Sequence, residues 1–430
     1  MRRCIMSGTS RERFLQTINH QDPGDVVVDL GAASTTGIHA EALSNLRRYL
    51  GLSPKRERIS EPFQLLGEVD EEMRKALGID IVGIGTNWTI YGFENTGWKT
   101  WHLPQGLEVE VPKDFVYTVD HKNNTYMYPC GDIHAKPVAK LPAGGYFFDN
   151  VDHTAGEFDE ETASARKDFR DDYAVYTDSQ LRFMEEQINY YYKNTDYALF
   201  GAAALTAMGD MAYIPGPAQK LPRGIRSPED WLVAHYTVPE YVHECYEMQL
   251  ETAMKNVKLL KEAAGNKIQA VFVSGTDLGT QRSQYISNDM YREFYLPYHK
   301  KLNDWIHQNT EWKVFFHSCG AIEKLMPELY EAGVDILNPV QCSADGMDPV
   351  MLKEKWGDKF VFWGGGVDTQ KTLPFGTPEE VYAEVLERLK IFAPGGGFVF
   401  NTIHNIQGPT KPENIYAMFE AVRDYNRMTK

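Results

Sequence analysis

Eight short apolar runs, separated by helical patterns, are the feature that most constrains the fold of this 430-residue chain. Several runs are apolar along their whole length, as strands covered on both faces must be. Strand-like runs that alternate with helices indicate a parallel sheet. The runs are Val26–Leu30, Ile81–Gly85, Ala198–Ala202, Ala270–Ser274, Val314–His317, Ile336–Val340, Phe360–Gly364 and Phe398–Thr402.

Eight parallel strands, each followed by a helix, predict an α/β fold of the closed (β/α)8 TIM-barrel type. The alternative is an open, doubly wound sheet. A barrel can accommodate a chain of this length as one unit, so we expect residues 1–430 to form a single domain. Four segments resemble helix starts with a capping residue, beginning at Thr9, Ser227, Thr377 and Thr410.

Two stretches exceed what a minimal barrel needs. Residues 98–150 alternate polar and apolar side chains around turn signals, for example in Leu107–Val111 and at His121–Asn124. We expect them to form a β-hairpin insertion after the second strand. Residues 151–196 are acidic, aromatic and helical in pattern, and two roles are open for them: a cover over the barrel mouth or an oligomer contact.

The charge balance restricts the kinds of partner. The formal net charge is −16, which disfavours nucleic acid and anionic membrane surfaces as partners. No apolar run approaches the roughly 20 residues that a membrane span requires, and Met1–Ser7 lacks the apolar stretch of a secretory signal. Five scattered cysteines do not form a disulfide framework. We therefore expect a cytoplasmic protein.

The pair His317-x-Cys319 stands at the end of the fifth predicted strand. Residues two apart on a strand face the same side, and the carboxyl ends of barrel strands carry the chemistry of barrel enzymes. Imidazole nitrogen and thiolate sulfur are preferred zinc ligands. The alternative reading of Cys319 is a buried small hydrophobic residue.

His404 follows the eighth predicted strand and reaches the same rim, which makes it the best third ligand. Taken alone, a histidine at this position is more often a hydrogen-bonded loop histidine. Three protein ligands leave a fourth zinc position open, as in catalytic sites. The predicted metal site is therefore His317, Cys319 and His404.

Other polar residues follow the rim strands and are candidates for chemistry or binding. Asp277 follows the fourth strand and is a candidate acid, base or partner of a metal-bound histidine; a turn or helix cap is the alternative. We also predict a role in binding substrate or cofactor for five further positions, although a simple loop residue is the alternative for Asn338, Gln341 and Asp368. The five positions are Gln281, Asn338, Gln341, Gly365 and Asp368.

Several motifs together resemble the uroporphyrinogen decarboxylase superfamily, and within it the corrinoid-dependent methyltransferase branch that includes methylcobamide:coenzyme M methyltransferases. The similarity is strongest from about Val271 to Arg427. The motifs are Asp277–Gln281, Ser287–Lys300, His317–Gly320, Gly364–Asp368 and Pro412–Ile415.

The resemblance implies a (β/α)8 barrel, a zinc ion bound by a His-x-Cys pair with a later cysteine, and a corrinoid (cobalamin). In this chain the later cysteine position, ten residues before Asn414, is His404. The decarboxylase itself uses an arginine-rich segment to hold tetrapyrrole carboxylates, whereas Asp29–Gly37 contains no arginine. The resemblance thus favours methyl transfer over tetrapyrrole decarboxylation.

The sequence therefore predicts a zinc-dependent methyltransferase, with Asp277, His317 and Cys319 as catalytic residues. It would move a methyl group between a small substrate and a corrinoid supplied by a partner protein, since no cobalamin-binding module is evident in the chain. Superfamily relatives suggest a homodimer. Two alternatives are a decarboxylase of a small carboxylated substrate, with Asp29 or Asp277 as the acid, and a non-catalytic barrel that binds a corrinoid or another small molecule.

Overall fold

The barrel has eight parallel strands. The computed structural model describes residues 8–430, so the predictions made for Met1–Ser7 lie outside the described residues. We number the barrel strands β1 Val27–Val28, β2 Ile81–Ile84, β3 Ala198–Gly201, β4 Ala270–Ser274, β5 Lys313–His317, β6 Ile336–Asn338, β7 Val361–Trp363 and β8 Phe398–Phe400.

Neighbouring barrel strands are also neighbours in the chain. The pairs run from β2 through β3, β4, β5, β6 and β7 to β8, and β8 pairs with β1 in parallel. Between β1 and β2, the backbone N–H of Asp80 donates to the carbonyl of Val28 at 2.8 Å. The predicted (β/α)8 barrel is confirmed, and the contact between β1 and β2, the two ends of this strand order, excludes the open sheet. Every strand lies within its predicted run, except that β5 begins one residue earlier.

Helices surround the barrel and close its lower end. Helix Ser10–Ile18 covers the amino-terminal face, where Phe14 packs edge-on against Trp363 inside the barrel. The remaining helices are Ala40–Tyr49, Glu71–Leu77, Ala165–Asp168, Asp178–Asn194, Pro228–Thr237, Pro239–Ala264, Asn288–Met290, Leu296–Asn309, Met326–Glu331, Pro349–Trp356, Thr372–Phe375, Pro378–Phe392 and Pro412–Met428, with 3₁₀ turns at Pro129–Gly131, Met211–Tyr213 and Glu323–Leu325 and a π-helical turn at Tyr291–Tyr295.

The helix starts follow local sequence in three of the four predicted cases. Thr9 and Thr377 form reciprocal capping boxes, and the Ser227 hydroxyl accepts from the N–H of Asp230. The prediction at Thr410 is wrong, because Lys411 is the N-cap and its side chain makes no capping bond. Pro412 at the first helical position fixes that start instead.

The segment between β2 and β3 carries further strands. Lys99–His102 pairs antiparallel with Glu108–Val111, and a four-stranded sheet contains Tyr117–Val119, Thr125–Met127, Ala139–Leu141 and Asp149–Asn150. The apolar side chains of this segment form a core separate from that of the barrel. The antiparallel hairpin of Ile59–Glu61 and Leu66–Gly67 contributes to it. Further along, helix Asp178–Asn194 packs against the long helix Pro239–Ala264.

The helices of residues 8–430 include none that combines the length and apolar character needed to cross a membrane.

Candidate metal centre

The end of β5 presents two candidate ligands on one side. His317 is the last residue of β5 and lies beside Asn338, the last residue of β6. Ser318 turns the other way, where its hydroxyl accepts from the N–H of Leu278 at 2.9 Å. His317 and Cys319 consequently face the barrel mouth together, with His317 Nε2 at 3.6 Å from Cys319 Sγ.

His404 joins this pair from the other side of the mouth. Its ring lies edge-on to the ring of His317, with centroids 5.4 Å apart. One ligand atom from each of His317, Cys319 and His404 lies within 4.8 Å of the other two. Within residues 8–430 this is the one group of histidine, cysteine or acidic side chains that comes together in this way.

The donor set fits zinc. Tetrahedral zinc with bonds of about 2.05 Å to nitrogen and about 2.3 Å to sulfur separates the two atoms by about 3.6 Å. The measured distance from His317 Nε2 to Cys319 Sγ has this value. His317 is buried, whereas Cys319 and His404 are partly exposed. A cation held by these three side chains would have its fourth position towards the mouth.

Asp277 lies at the edge of the triad. One carboxylate oxygen, Oδ1, accepts from the backbone N–H of Cys319 at 2.8 Å and lies 3.6 Å from His317 Nε2. Its side chain is 51% exposed. This arrangement fixes the turn that carries Cys319 and places one negative charge beside the ligand atoms.

Burial governs the protonation of the ligands. Burial and then the neighbouring imidazole of His317 lower the pKa of His404 to about 4. Burial also lowers the pKa of His317, and Asp277 opposes that effect. Burial and Asp277 together raise the pKa of the Cys319 thiol well above its usual range. Both imidazoles are therefore neutral at neutral pH and able to donate a lone pair, and cation binding would release the thiol proton.

Four of the five residues predicted to bind substrate or corrinoid have hydrogen-bond partners within the protein. The Gln341 amide accepts from the Gly320 N–H at 2.7 Å and donates to Gln281 Oε1 at 2.9 Å, and Gln281 in turn donates to the Ser343 carbonyl. These two amides brace the turn after Cys319. Asn338 is buried and bonded to His317.

Asp368 caps the turn that follows β7, accepting from the N–H groups of Gln370 at 2.6 Å and Lys371 at 3.0 Å. Gly365 is the fifth predicted position. It has φ +85°, and a Cβ there would lie 2.7 Å from the Val340 carbonyl. A glycine is thus required at this position by close packing of β6 and β7.

Asp210 is a rim residue that the sequence reasoning missed. It lies in the loop after β3, where one carboxylate oxygen caps the N–H of Ala212 and the other packs against Gly275, two residues from Asp277. Burial and the charge of Asp277 raise its pKa to about 7. The available signal was weak, because an aspartate nine residues after the end of a strand is too far along the loop for sequence alone to assign it to the rim.

The fold is a (β/α)8 barrel, and three candidate metal ligands meet at its carboxyl-terminal face. Barrel enzymes carry their active sites at this face. Residues 221–425 match the family model of uroporphyrinogen decarboxylase (URO-D). The similarity of these residues to the URO-D family confirms the resemblance seen in the sequence.

Curated relatives carry two different activities in their names. A uroporphyrinogen decarboxylase of Dechloromonas aromatica (strain RCB) is 25% identical over 204 residues, 45% of this chain and 52% of the relative. A methylated-thiol–coenzyme M methyltransferase of Methanosarcina mazei is 28% identical over 142 residues, 33% of this chain and 35% of the relative. The matches thus span about half of the relative's length in the first case and about a third in the second.

A solved structure extends the similarity over the whole fold. A methyltransferase from Methanosarcina mazei superposes with a TM-score of 0.55, covering 97% of this chain and 99% of that chain at 14% sequence identity. This chain and that methyltransferase therefore share the same overall fold.

Proposed function

We propose that this protein is a zinc-dependent methyltransferase that moves a methyl group between a small substrate and a corrinoid carried by a partner protein. One observation carries the proposal: ligand atoms of His317, Cys319 and His404, from two strand ends far apart in the chain, lie within 4.8 Å of one another. A decarboxylation reaction has no evident use for a nitrogen, sulfur and nitrogen set with an open fourth position.

The roles of the chain's own residues follow from their positions. Zinc bound here would supply a Lewis acid for a substrate oxygen or lower the pKa of a substrate thiol. His317 and His404 hold neutral nitrogen donors on opposite sides of the mouth, and Cys319 contributes the anionic donor. Asp277 holds the Cys319 turn in place and leaves half of its side chain open to the mouth.

His404 sets the charge of the proposed centre. One thiolate and two neutral imidazoles leave a Zn²⁺ site with a formal charge of +1, whereas the two thiolates that the family resemblance implies would leave it neutral. A more positive centre binds an anionic oxygen more tightly and makes a bound thiolate a poorer nucleophile. We therefore propose a methyl donor with an oxygen leaving group, such as an aryl methyl ether or an alcohol.

In the proposed direction, the bond between the methyl carbon and the oxygen breaks and its electrons stay on the oxygen. A reduced corrinoid brought by the partner would supply the electron pair that accepts the methyl group, and the oxygen would take a proton from solvent or from a rim acid. Asp277 is an exposed acid whose Oδ1 lies 3.6 Å from His317 Nε2. The corrinoid partner follows from the family resemblance.

A decarboxylase is the second candidate, because the URO-D family model and the Dechloromonas relative favour it. Asp29, one of the two acids predicted for this reaction, is poorly placed to act as its acid. Asp29 is 1% exposed, and its carboxylate accepts from the Trp363 indole at 2.9 Å and from the Ala32 N–H at 3.0 Å. Its contacts make it an internal brace of the barrel.

Metal content tests the proposed centre. The purified protein should contain one zinc per chain by elemental analysis. Cys319→Ser should lose most of that zinc, while Cys342→Ser, which changes a nearby rim cysteine outside the triad, should retain it. Equal zinc in both variants, or none in the parent protein, contradicts the proposal and favours the decarboxylase.

Turnover tests the reaction. With cob(I)alamin as acceptor, guaiacol or methanol should produce methylcob(III)alamin in a reaction that stops after chelation and resumes with zinc. Methylcob(III)alamin and mercaptoethanol test the thiol direction. Faster transfer to the thiol than from the oxygen substrates contradicts the charge argument, and loss of CO₂ from a carboxylated substrate without zinc supports the second candidate.

A further inference from the structure

The buried amide of Asn338 is bonded on both of its ends. The side chain is 1% exposed and lies at the end of β6, under the candidate metal centre. Its Nδ2 donates to the Trp363 carbonyl at 2.9 Å. Its Oδ1 lies 2.6 Å from His317 Nδ1 and 3.3 Å from the Thr35 hydroxyl.

These contacts determine which way the amide points. A backbone carbonyl can only accept, so the NH₂ group must face Trp363 and the oxygen must face His317. The oxygen can only accept, so Nδ1 of His317 carries the hydrogen and Nε2 carries the lone pair. Nε2 is the atom that lies 3.6 Å from Cys319 Sγ.

The base of this arrangement is rigid. Trp363 is fully buried on β7, and its indole N–H donates to the Asp29 carboxylate at 2.9 Å. Asn338 lies between β5 and β7 in the parallel sheet. The direction of the amide is therefore set by the barrel itself, independently of any ligand.

We propose that Asn338 is a positioning residue, which holds the His317 ring in the Nδ1–H tautomer and so directs the Nε2 lone pair to the metal position. This inference rests on the proposed zinc centre, and it replaces the predicted role of Asn338 in binding substrate or corrinoid. A neutral imidazole without such a partner populates both tautomers. Only one of them offers Nε2 to a cation.

The first test observes the tautomer in metal-free protein. Nitrogen-15 spectra of labelled histidine report which ring nitrogen is protonated, and His317→Gln assigns the signal. The parent protein should show His317 as the Nδ1–H form. In Asn338→Leu, which removes the acceptor with little change in volume, the Nε2–H form should appear. An unchanged tautomer in that variant overturns the inference, whatever the protein does with zinc.

The second test measures zinc affinity by competition with a chelator. Asn338→Leu should weaken binding roughly 10–100-fold, as loss of a histidine's outer partner typically does. Asn338→Asp keeps an acceptor for His317 but loses the donor to Trp363. It should bind zinc within a few-fold of the parent while unfolding at a lower temperature.

The two variants separate positioning from general support of the fold. If Asn338 were only structural, zinc affinity would fall in both variants in step with stability. Thr35→Val is the matched control, since it removes the longer of the two bonds to Oδ1 and should leave the affinity within a few-fold. Asn338→Ala replaces the leucine variant if the latter does not fold.

The outcomes also separate this inference from the proposed function. A parent protein that binds no zinc contradicts the proposed function, while the tautomer measurement still decides the role of Asn338. A parent that binds zinc, beside an Asn338→Leu variant of equal affinity, overturns the positioning role and leaves the zinc centre standing.

Discussion

Buried polar side chains hold two segments of the rim, the loop after β3 and the end of β5, and these segments differ in backbone conformation. In the loop after β3, three residues other than glycine have left-handed backbone conformations, Ala204, Leu205 and Ala207, with φ of +40°, +51° and +49°. At the end of β5, by contrast, only Gly320 has a positive φ among residues 313–320. The first loop is strained, and the second carries its candidate ligands on relaxed backbone.

Surrounding helices bind the backbone of the β3 loop. Each left-handed residue costs roughly 1–2 kcal/mol, so the loop needs many external bonds. Gln249 alone makes three, and the Leu205 and Met208 carbonyls accept from Asn256 and His299. At the β5 end, the polar contacts instead orient side chains: Asn338 binds the His317 ring and Asp277 the Cys319 turn.

The polar contacts of the two segments therefore have different roles at the barrel mouth. The β3 loop depends on its neighbours for stability and delivers Asp210 to the rim. The β5 end depends on its neighbours for the orientation of its candidate ligands. Changes at the two places should therefore be detected by different measurements, unfolding for the first and zinc affinity for the second.

The largest effect is expected at Gln249, which is 1% exposed. Gln249→Leu leaves the Thr206 carbonyl and the Gly209 N–H without a partner, whereas the Ala207 carbonyl still accepts from the Asp210 N–H. Each buried unpaired group costs about 1–3 kcal/mol, so we expect the free energy of unfolding in urea to fall by roughly 2–6 kcal/mol. Zinc affinity of the folded fraction should not change. Gln219→Leu, which removes a single bond to the Asp171 carbonyl, should cost about 1 kcal/mol.

His404→Ala tests the other side of the comparison. Within residues 8–430 the His404 imidazole makes no hydrogen bond, so the metal-free variant should unfold within about 1 kcal/mol of the parent. Its zinc affinity should fall at least about a hundred-fold, because removing a side chain that binds the metal weakens binding more than removing one that only orients a ligand. His102→Ala, on an exposed hairpin, should keep full zinc. A His404 variant with normal zinc would remove His404 from the proposed centre.

His299 links the β3 loop to pH. Burial lowers its pKa to about 4, and its Nε2–H donates to the Met208 carbonyl. Between the unfolded value of about 6.5 and this folded value, only the unfolded state binds a proton. Its contribution to stability is therefore lost as pH falls from about 6.5 towards 4.

The variant His299→Gln should make the fall in unfolding free energy shallower by up to about 1.4 kcal/mol per pH unit. Buried Asp29, Glu61 and Asp210, whose pKa values are raised to about 7, act in the opposite direction in both proteins. Their effects cancel in the difference between the two curves. Parallel curves for parent and variant would show that His299 titrates normally.

The smallest expected effect is relief of strain at Ala204. Glycine adopts φ +40° without a Cβ penalty but loses more entropy on folding. We expect Ala204→Gly to stabilise the protein by roughly 0.5–1 kcal/mol. Ala417→Gly, in helix Pro412–Met428, should destabilise it by about 1 kcal/mol. If both variants lose stability equally in urea unfolding, the loop is not strained.

The features that the sequence did not reveal have a common origin. Asn338, Gln281 and Gln341 lie at the rim, but a sequence does not show which neighbouring segment supplies each side chain's hydrogen-bond partner. The strained β3 loop had no signal, because Ala203–Ala207 lacks the Gly, Asn and Asp residues that usually mark left-handed turns. At Thr410 a local capping pattern was outweighed by Pro412.

What the sequence determined by itself was the periodic part of the molecule: eight apolar runs, their parallel arrangement, and therefore the rim at which His317, Cys319 and His404 must lie. Periodicity is local, and side chains two residues apart on a strand share a face wherever the strand is placed. The tertiary structure decided the distances between the candidate ligand atoms, the contact between Asn338 and His317 and the path of the β3 loop. Each of these depends on hydrogen bonds between residues far apart in the chain, and only folding brings such residues together.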